Sequence, residues 1–151
     1  PVRKAIGLSH SGWKGTVGHI GQKTVWKMHE VYGSEPKDIV AAIGPSICQS
    51  CYEVSEDVAD AFKEEFGAEI SQDDSTSCYS WNGKSILMNK GNGKYQLDLW
   101  GANRLVLLDA GILPEHLAVT NVCTKCNPDL LYSHRVMGDK RGNLAAFLSL
   151  K

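Results

Sequence analysis

The first third of the chain shows three patterns of apolar and polar positions. Val2, Ala5, Ile6 and Leu8 make residues 2–9 a run of small and branched apolar side chains, which reads as an interior strand ending at His10. After the glycine-bearing turn His10-Ser11-Gly12-Trp13-Lys14-Gly15-Thr16, the residues Val17, Ile20, Gly21, Thr24, Met28 and Val31 recur at helical spacing. Gln22, Lys23, Lys27 and Glu30 fall on the other faces, so a helix is predicted from about Val17, with Gly33 as its stop. Ile39 to Ile43 is wholly apolar, is cut off by Gly44-Pro45 and reads as a short buried strand.

Farther along, Ser55 is a candidate N-cap, with Glu56 and Asp57 in the first turn where a helix favours carboxylates. Val58, Ala61, Phe62 and Glu65 continue that helix to Gly67. Residues 68–94 are polar and mixed, with strand pieces expected at Cys78–Trp81 and Ser85–Asn89. Asp98 caps a third helix marked by Leu99, Ala102, Val106 and Ala110 and closed by Gly111 and Pro114. Three more strands are predicted at Leu117–Thr124, Leu130–Arg135 and Asn143–Leu150, the last apolar on both faces and therefore expected to be central. Strands alternating with helices, followed by a strand-rich end, imply a mixed α/β or α+β fold.

Composition narrows the function classes. The 151 residues suit one domain, and 42% hydrophobic with 22% charged residues is ordinary for a globular chain. Sixteen Lys+Arg against seventeen Asp+Glu leave a formal net charge of −1 with no clustered basic stretch, so nucleic acid is not an expected partner. No apolar run is long enough to span a bilayer, and the chain reads as soluble and cytoplasmic. It starts at Pro1 with no lead-in before the first predicted strand, which suggests the later portion of a longer protein.

Three groups of residues carry candidate chemistry. His10 ends a predicted strand beside a turn that opens a helix, where α/β folds place ligands; its imidazole suits metal ligation, acid–base work or a hydrogen bond within the loop. Gly12 and Gly15 allow close approach to the backbone N–H groups at the head of that helix, and Lys14 adds positive charge, a combination that suits an anion. The second group is Cys48, Cys51, Cys123 and Cys126, two Cys-x-x-Cys pairs among five cysteines. They suit a closed tetrathiolate zinc site, a redox pair or reduced thiols lining loops; no disulfide is expected in a reducing compartment. The third is Ser133-His134-Arg135 with Lys140-Arg141, suited to phosphate or nucleoside contact or to a solvated turn.

These segments together resemble a known family. His-Ser-Gly-Trp-Lys-Gly at 10–15, Ala-Ile-Gly-Pro-Ser-Ile at 42–47 followed by Cys-Tyr-Glu-Val at 51–54, and the stretch from Tyr95 to Gly111 are similar to its motifs in order. Cys123-Thr124, Ser133-His134-Arg135 and Gly-Asn-Leu-Ala-Ala-Phe at 142–147 complete the series, which covers nearly the whole chain. The family is the zinc-dependent purine nucleoside phosphorylases, also labelled multicopper polyphenol oxidases or laccase-like. The resemblance implies packed mixed sheets like those of the cytotoxic-necrotising-factor catalytic domain. It also implies phosphorolysis of inosine, adenosine or 5′-methylthioadenosine, together with adenosine deamination.

Its zinc has three protein ligands, of which only the His of H-x-G-W matches here, as His10; the other two motifs are absent from these residues. The resemblance makes His10 the expected catalytic metal ligand and Lys14, Arg135 and Arg141 the expected contacts to phosphate or nucleoside. Zn2+ is the expected cofactor, with Cu2+ under the oxidase label, although no paired His-x-His ligands are present. Partners would be a purine nucleoside and phosphate, with a homodimer as the candidate assembly. Cys51 and Cys123 are expected on loops facing the same region as His10.

Overall fold

A computed structural model of the chain describes residues 1–67, 69–70, 78–81 and 84–150, with backbone alone at 69–70, 78–81 and 84. The helix expected from about Val17 is two helices, α1 (Trp13–Val17) and α2 (Ile20–Tyr32). Between them His19 is left-handed at φ 51°. Its ring stacks on Phe66 at 5.4 Å and its Nε2 lies 3.1 Å from Glu65, so tertiary contacts hold a backbone shape that helical periodicity does not reveal. Gly33, at φ 62°, ends α2 as its sequence position predicts.

The chain continues through β1 (Ala41–Ile43), β2 (Glu53–Ser55) and α3 (Glu56–Phe66). The strands β3 (Glu69–Ile70), β4 (Cys78–Trp81), β5 (Lys84–Gly91) and β6 (Lys94–Leu97) follow, and then α4 (Leu99–Asp109). β7 (Leu117–Val119) and the short α5 (His134–Met137) complete the elements. Strands β2 to β6 form an antiparallel sheet in the order β2-β6-β5-β4-β3, while β1 and β7 pair in parallel. This is the mixed α/β class expected. The β5–β6 hairpin turns on Asn92 and Gly93, both at positive φ (55° and 68°), the backbone twist that tight hairpins favour.

Two apolar clusters hold these layers. Phe62 and Phe66 of α3 and Ala102 and Val106 of α4 pack on Ile86, Leu87 and Leu97 of the antiparallel sheet. The second cluster joins Val25 of α2 to Ile39, Ala110, Ile112 and Leu117 around the parallel pair. Asp98 caps α4 by accepting from the Gly101 N–H at 2.9 Å. Ser55 stands at the N-cap of α3 but donates its hydroxyl to the Asp57 carboxylate instead of capping the helix backbone.

Three predicted strands are not strands. Residues 2–9 join neither sheet and leave Val2, Ile6 and Leu8 exposed at 68%, 42% and 59%. The segment lies along α2 instead, with Gly7 seated against Thr24 and Met28. Leu130–Arg135 forms turns that run into α5: the Asn127 carbonyl accepts from both the Leu130 and Leu131 N–H groups, so local bonds replace a ladder. Asn143–Leu150 pairs with neither sheet and leaves Phe147 88% exposed. In each case the residues favour a strand, but a strand also needs a partner, and none of these segments pairs with either sheet. The strand expected at Leu117–Thr124 stops at Val119. Among the described residues no helix is long and apolar enough to cross a membrane.

Candidate functional site

The loop at residues 10–15 is built around close backbone approaches. A Cβ on Gly15 would lie 2.8 Å from the His10 carbonyl oxygen, and one on Gly12 would lie 3.1 Å from His10 Nε2. His10 therefore folds its ring over Gly12 while remaining exposed. The loop is pinned from beneath by Thr16, fully buried, whose hydroxyl donates to Gly12 O at 3.0 Å. Asn103 of α4 donates to that same hydroxyl at 2.9 Å and to Leu99 O at 2.9 Å. Trp13 packs half-buried against the larger core cluster, and exposed Lys14 lies 5.4 Å from its ring.

The expected strand-end placement of His10 does not hold, because no strand precedes it. The helix that follows has only five residues, so its dipole offers an anion little; the charge on the loop is that of Lys14. An open groove does lie beside α2, lined by Ile6, Leu8, Ile20 and Met28 among others, but His10 is not part of its lining.

The basic residues are more scattered than the sequence suggests. Arg135 lies 5.3 Å above the Tyr52 ring, a cation–π contact. Burial raises the Tyr52 hydroxyl pKa, against the opposing pull of Arg135. Arg141 turns to its own segment, donating to Asn143 Oδ1 at 2.7 Å and Gly142 O at 3.2 Å. Among the described residues no hydrogen bond or ion pair ties either arginine to His10 or Lys14.

The two Cys-x-x-Cys pairs do converge. The sulfurs of Cys48, Cys51, Cys123 and Cys126 all lie within 4.8 Å of one another, and these cysteines are free thiols. The parallel pairing of β1 with β7 brings them there. It continues past the strands through a Thr120 N–H donated to Ile43 O and a bridge of Ser46 with Cys123. Each strand thus leads into one Cys-x-x-Cys turn, and the turns face each other.

Cys123 is buried, which opposes ionisation. The N–H groups of Cys48 and Cys126 and the neighbouring thiols outweigh that and bring its pKa down to about 6. Hydrogen bonding to Cys51 and Cys123 pushes Cys126 up to about 12. Cys51 is lowered by Cys126, but burial and the Cys48 and Cys123 charges outweigh this and leave it raised. The group thus shares its first negative charge, centred on Cys123.

Cys51 and Cys123 therefore meet each other, as their place on facing loops requires, while His10 stands outside the group. Both loops lean on α4: Trp100 Nε1 donates to Ser46 Oγ at 2.5 Å, and Asn103 donates to Ser11 O at 3.4 Å. Thr16, Ser46, Trp100 and Asn103 escape a reading of the sequence. The one available signal is an amide at position 103 among the buried positions of an otherwise apolar helix face.

The model of the family described as multi-copper polyphenol oxidoreductase laccase matches residues 1–151. A purine nucleoside phosphorylase, YlmD of Bacillus subtilis, is 39% identical over 152 residues, covering 100% of this chain and 49% of that protein. Adenosine deaminase RL5, from an unknown prokaryotic organism, is 35% identical over 137 residues, covering 91% and 47%. The crystal structure of YlmD from Geobacillus stearothermophilus superposes with a TM-score of 0.70 at 36% identity, covering 85% of this chain and 43% of that one. The chain thus spans about half the length of the curated relatives it matches.

Proposed function

The chain belongs to the family described as multi-copper polyphenol oxidoreductase laccase, and from that premise we propose that it is part of a cytoplasmic purine nucleoside phosphorylase. In that reaction phosphate forms a bond to ribose C1′ as the bond to the purine nitrogen breaks, giving ribose 1-phosphate and the free base. The observation that carries the reading is the loop of His10: an exposed imidazole held over Gly12, with Lys14 four residues on, in a motif that resembles the family's. Lys14 supplies positive charge for phosphate. Arg135, held on the Tyr52 ring, is placed to meet an anion or a flat base, and Arg141 is the weakest of the three, being engaged with its own segment.

The resemblance also implies a zinc ion on His10. Among the described residues His10 belongs to no group of three or more ligating side chains, so the described residues do not by themselves make that site. In this reading His10 contributes one ligand, and the activity belongs to the longer protein.

The test is phosphate-dependent release of hypoxanthine from inosine by the longer protein containing this segment. His10→Ala is expected to lower turnover by about 100-fold or more while leaving thermal unfolding unchanged. Undiminished turnover in that variant would remove His10 from the chemistry. A second reading, loss of the purine 6-amino group to water, is favoured by the relative named an adenosine deaminase. It predicts inosine from adenosine with no phosphate present. Oxidation of phenols has less support, because none of the five histidines lies in a group of three ligating side chains among the described residues.

A further inference from the structure

We infer that Cys48, Cys51, Cys123 and Cys126 form a structural Zn2+ site that rivets the loop after β1 to the turn after β7. The inference is independent of the role proposed for His10.

The argument begins with geometry. Zinc–thiolate bonds of about 2.3 Å set the edges of an S4 tetrahedron at about 3.8 Å. The four sulfurs lie within 4.8 Å of one another, and Cys51 Sγ to Cys126 Sγ is 3.5 Å. Closing on an ion therefore needs sulfur shifts of about an ångström or less, which side-chain torsions absorb. The same spacing is well beyond the ~2.05 Å of a disulfide, and no one pair stands apart from the other two thiols as a redox couple would.

The backbone is arranged for the ion as well. Each hook is turned by a backbone bond to its first cysteine: Cys51 N–H donates to Cys48 O and Asn127 N–H to Cys123 O, each at 3.1 Å. Asn127 Nδ2 ties its hook further by donating to Cys123 O at 2.8 Å. Cys48 N–H points at the Cys123 sulfur at 3.4 Å, the kind of bond that tempers thiolate charge around a metal. Two of the four cysteines come from each segment, and Cys51 and Cys123 are 72 positions apart. An ion here would thus lock a long-range contact that otherwise rests on the Thr124 N–H to Ser46 O bond and its neighbours. On binding, each thiol that still carries its proton releases it to solvent, and the four thiolates donate their lone pairs to Zn2+.

Four sulfurs in this shape suit Zn2+ or a single iron ion. Zinc is the assignment because the role is to join two loops, and it has no redox chemistry. The 151-residue chain, purified without chelator and also loaded with Zn2+ after reduction, should hold about one zinc per chain by elemental analysis. His10→Ala should hold the same amount. The double variant Cys51→Ser, Cys126→Ser should lose it, by more than the roughly 10–100-fold that loss of an outer partner costs in affinity.

Because the double variant may fold poorly without its ion, the unaltered chain gives a second readout. Co2+ should give the strong visible and near-ultraviolet bands of tetrahedral thiolate coordination, and Zn2+ should slow alkylation of the four thiols until chelator is added. Zinc that survives in the double variant, zinc that leaves with His10→Ala, uptake of iron alone, or a cobalt spectrum without thiolate bands would each overturn the assignment.

Discussion

Asn103 donates its side-chain N–H to the Thr16 hydroxyl at 2.9 Å, and both residues are buried. This one bond connects the middle of α4 to the floor of the His10 loop. Thr16 passes the connection on, because its hydroxyl donates to the carbonyls of Gly12 and Ser11, and Gly12 is the residue the His10 ring folds over. The loop's shape therefore depends on a helix some ninety residues away in sequence.

Asn103→Ala should destabilise the chain by about 1–3 kcal/mol, since it removes the buried bonds from the Asn103 amide to the Thr16 hydroxyl and the Leu99 carbonyl. Urea denaturation measures this. Thr16→Val should be similar in size, and the double variant should cost less than the sum of the two, because both remove the same bond. Strict additivity would show that the two side chains are uncoupled.

Gly15→Ala should be worse than Gly12→Ala. At Gly15 the new methyl meets the backbone oxygen of His10 at 2.8 Å, which only a backbone shift can relieve. At Gly12 it meets the His10 ring at 3.1 Å, and the ring can rotate away. The expected difference in thermal unfolding corresponds to about 1–2 kcal/mol. Equal melting temperatures for the two variants would mean that the loop is looser than described.

Trp13→Ala should cost about 2 kcal/mol, less than the ~3–5 kcal/mol of a fully buried indole, because Trp13 is only half-buried against the core. His10→Ala in the same chain should change stability by less than about 0.5 kcal/mol, as an exposed ring carries little packing. Calorimetry of the pair separates the residue that holds the loop from the one the loop presents.

The Ser55 hydroxyl bond to Asp57 holds that carboxyl below the usual carboxylate range. A depressed folded-state pKa adds stability that is present above the unfolded value of about 3.9 and lost as pH falls through the folded value. Ser55→Ala should therefore raise the Asp57 pKa toward the ordinary value and flatten acid destabilisation below about pH 4. A carboxyl NMR titration reads the shift; an unchanged Asp57 midpoint would rule out the hydroxyl as its cause.

Local information in the sequence was enough for much of the framework. Gly33, Gly67 and Asp98 mark helix ends because turn shape and capping are settled within a few residues. Cys78–Trp81 is legible as a strand, and the Asn92-Gly93 dipeptide carries a hairpin signal. The residues of the His10 motif and of both Cys-x-x-Cys pairs also stand out in the sequence, as chemistry without coordinates. Tertiary structure alone decided the rest. Residues 2–9 and 143–150 have strand-like composition but pair with neither sheet, and a ladder exists only when a second segment supplies its partners. Likewise, only the parallel register of β1 with β7 brings the four thiols within 4.8 Å, and only α4 packing puts Asn103 under Thr16. Periodicity and turn chemistry report which face a residue shows to its own element. Which distant element meets that face is set by how the layers pack.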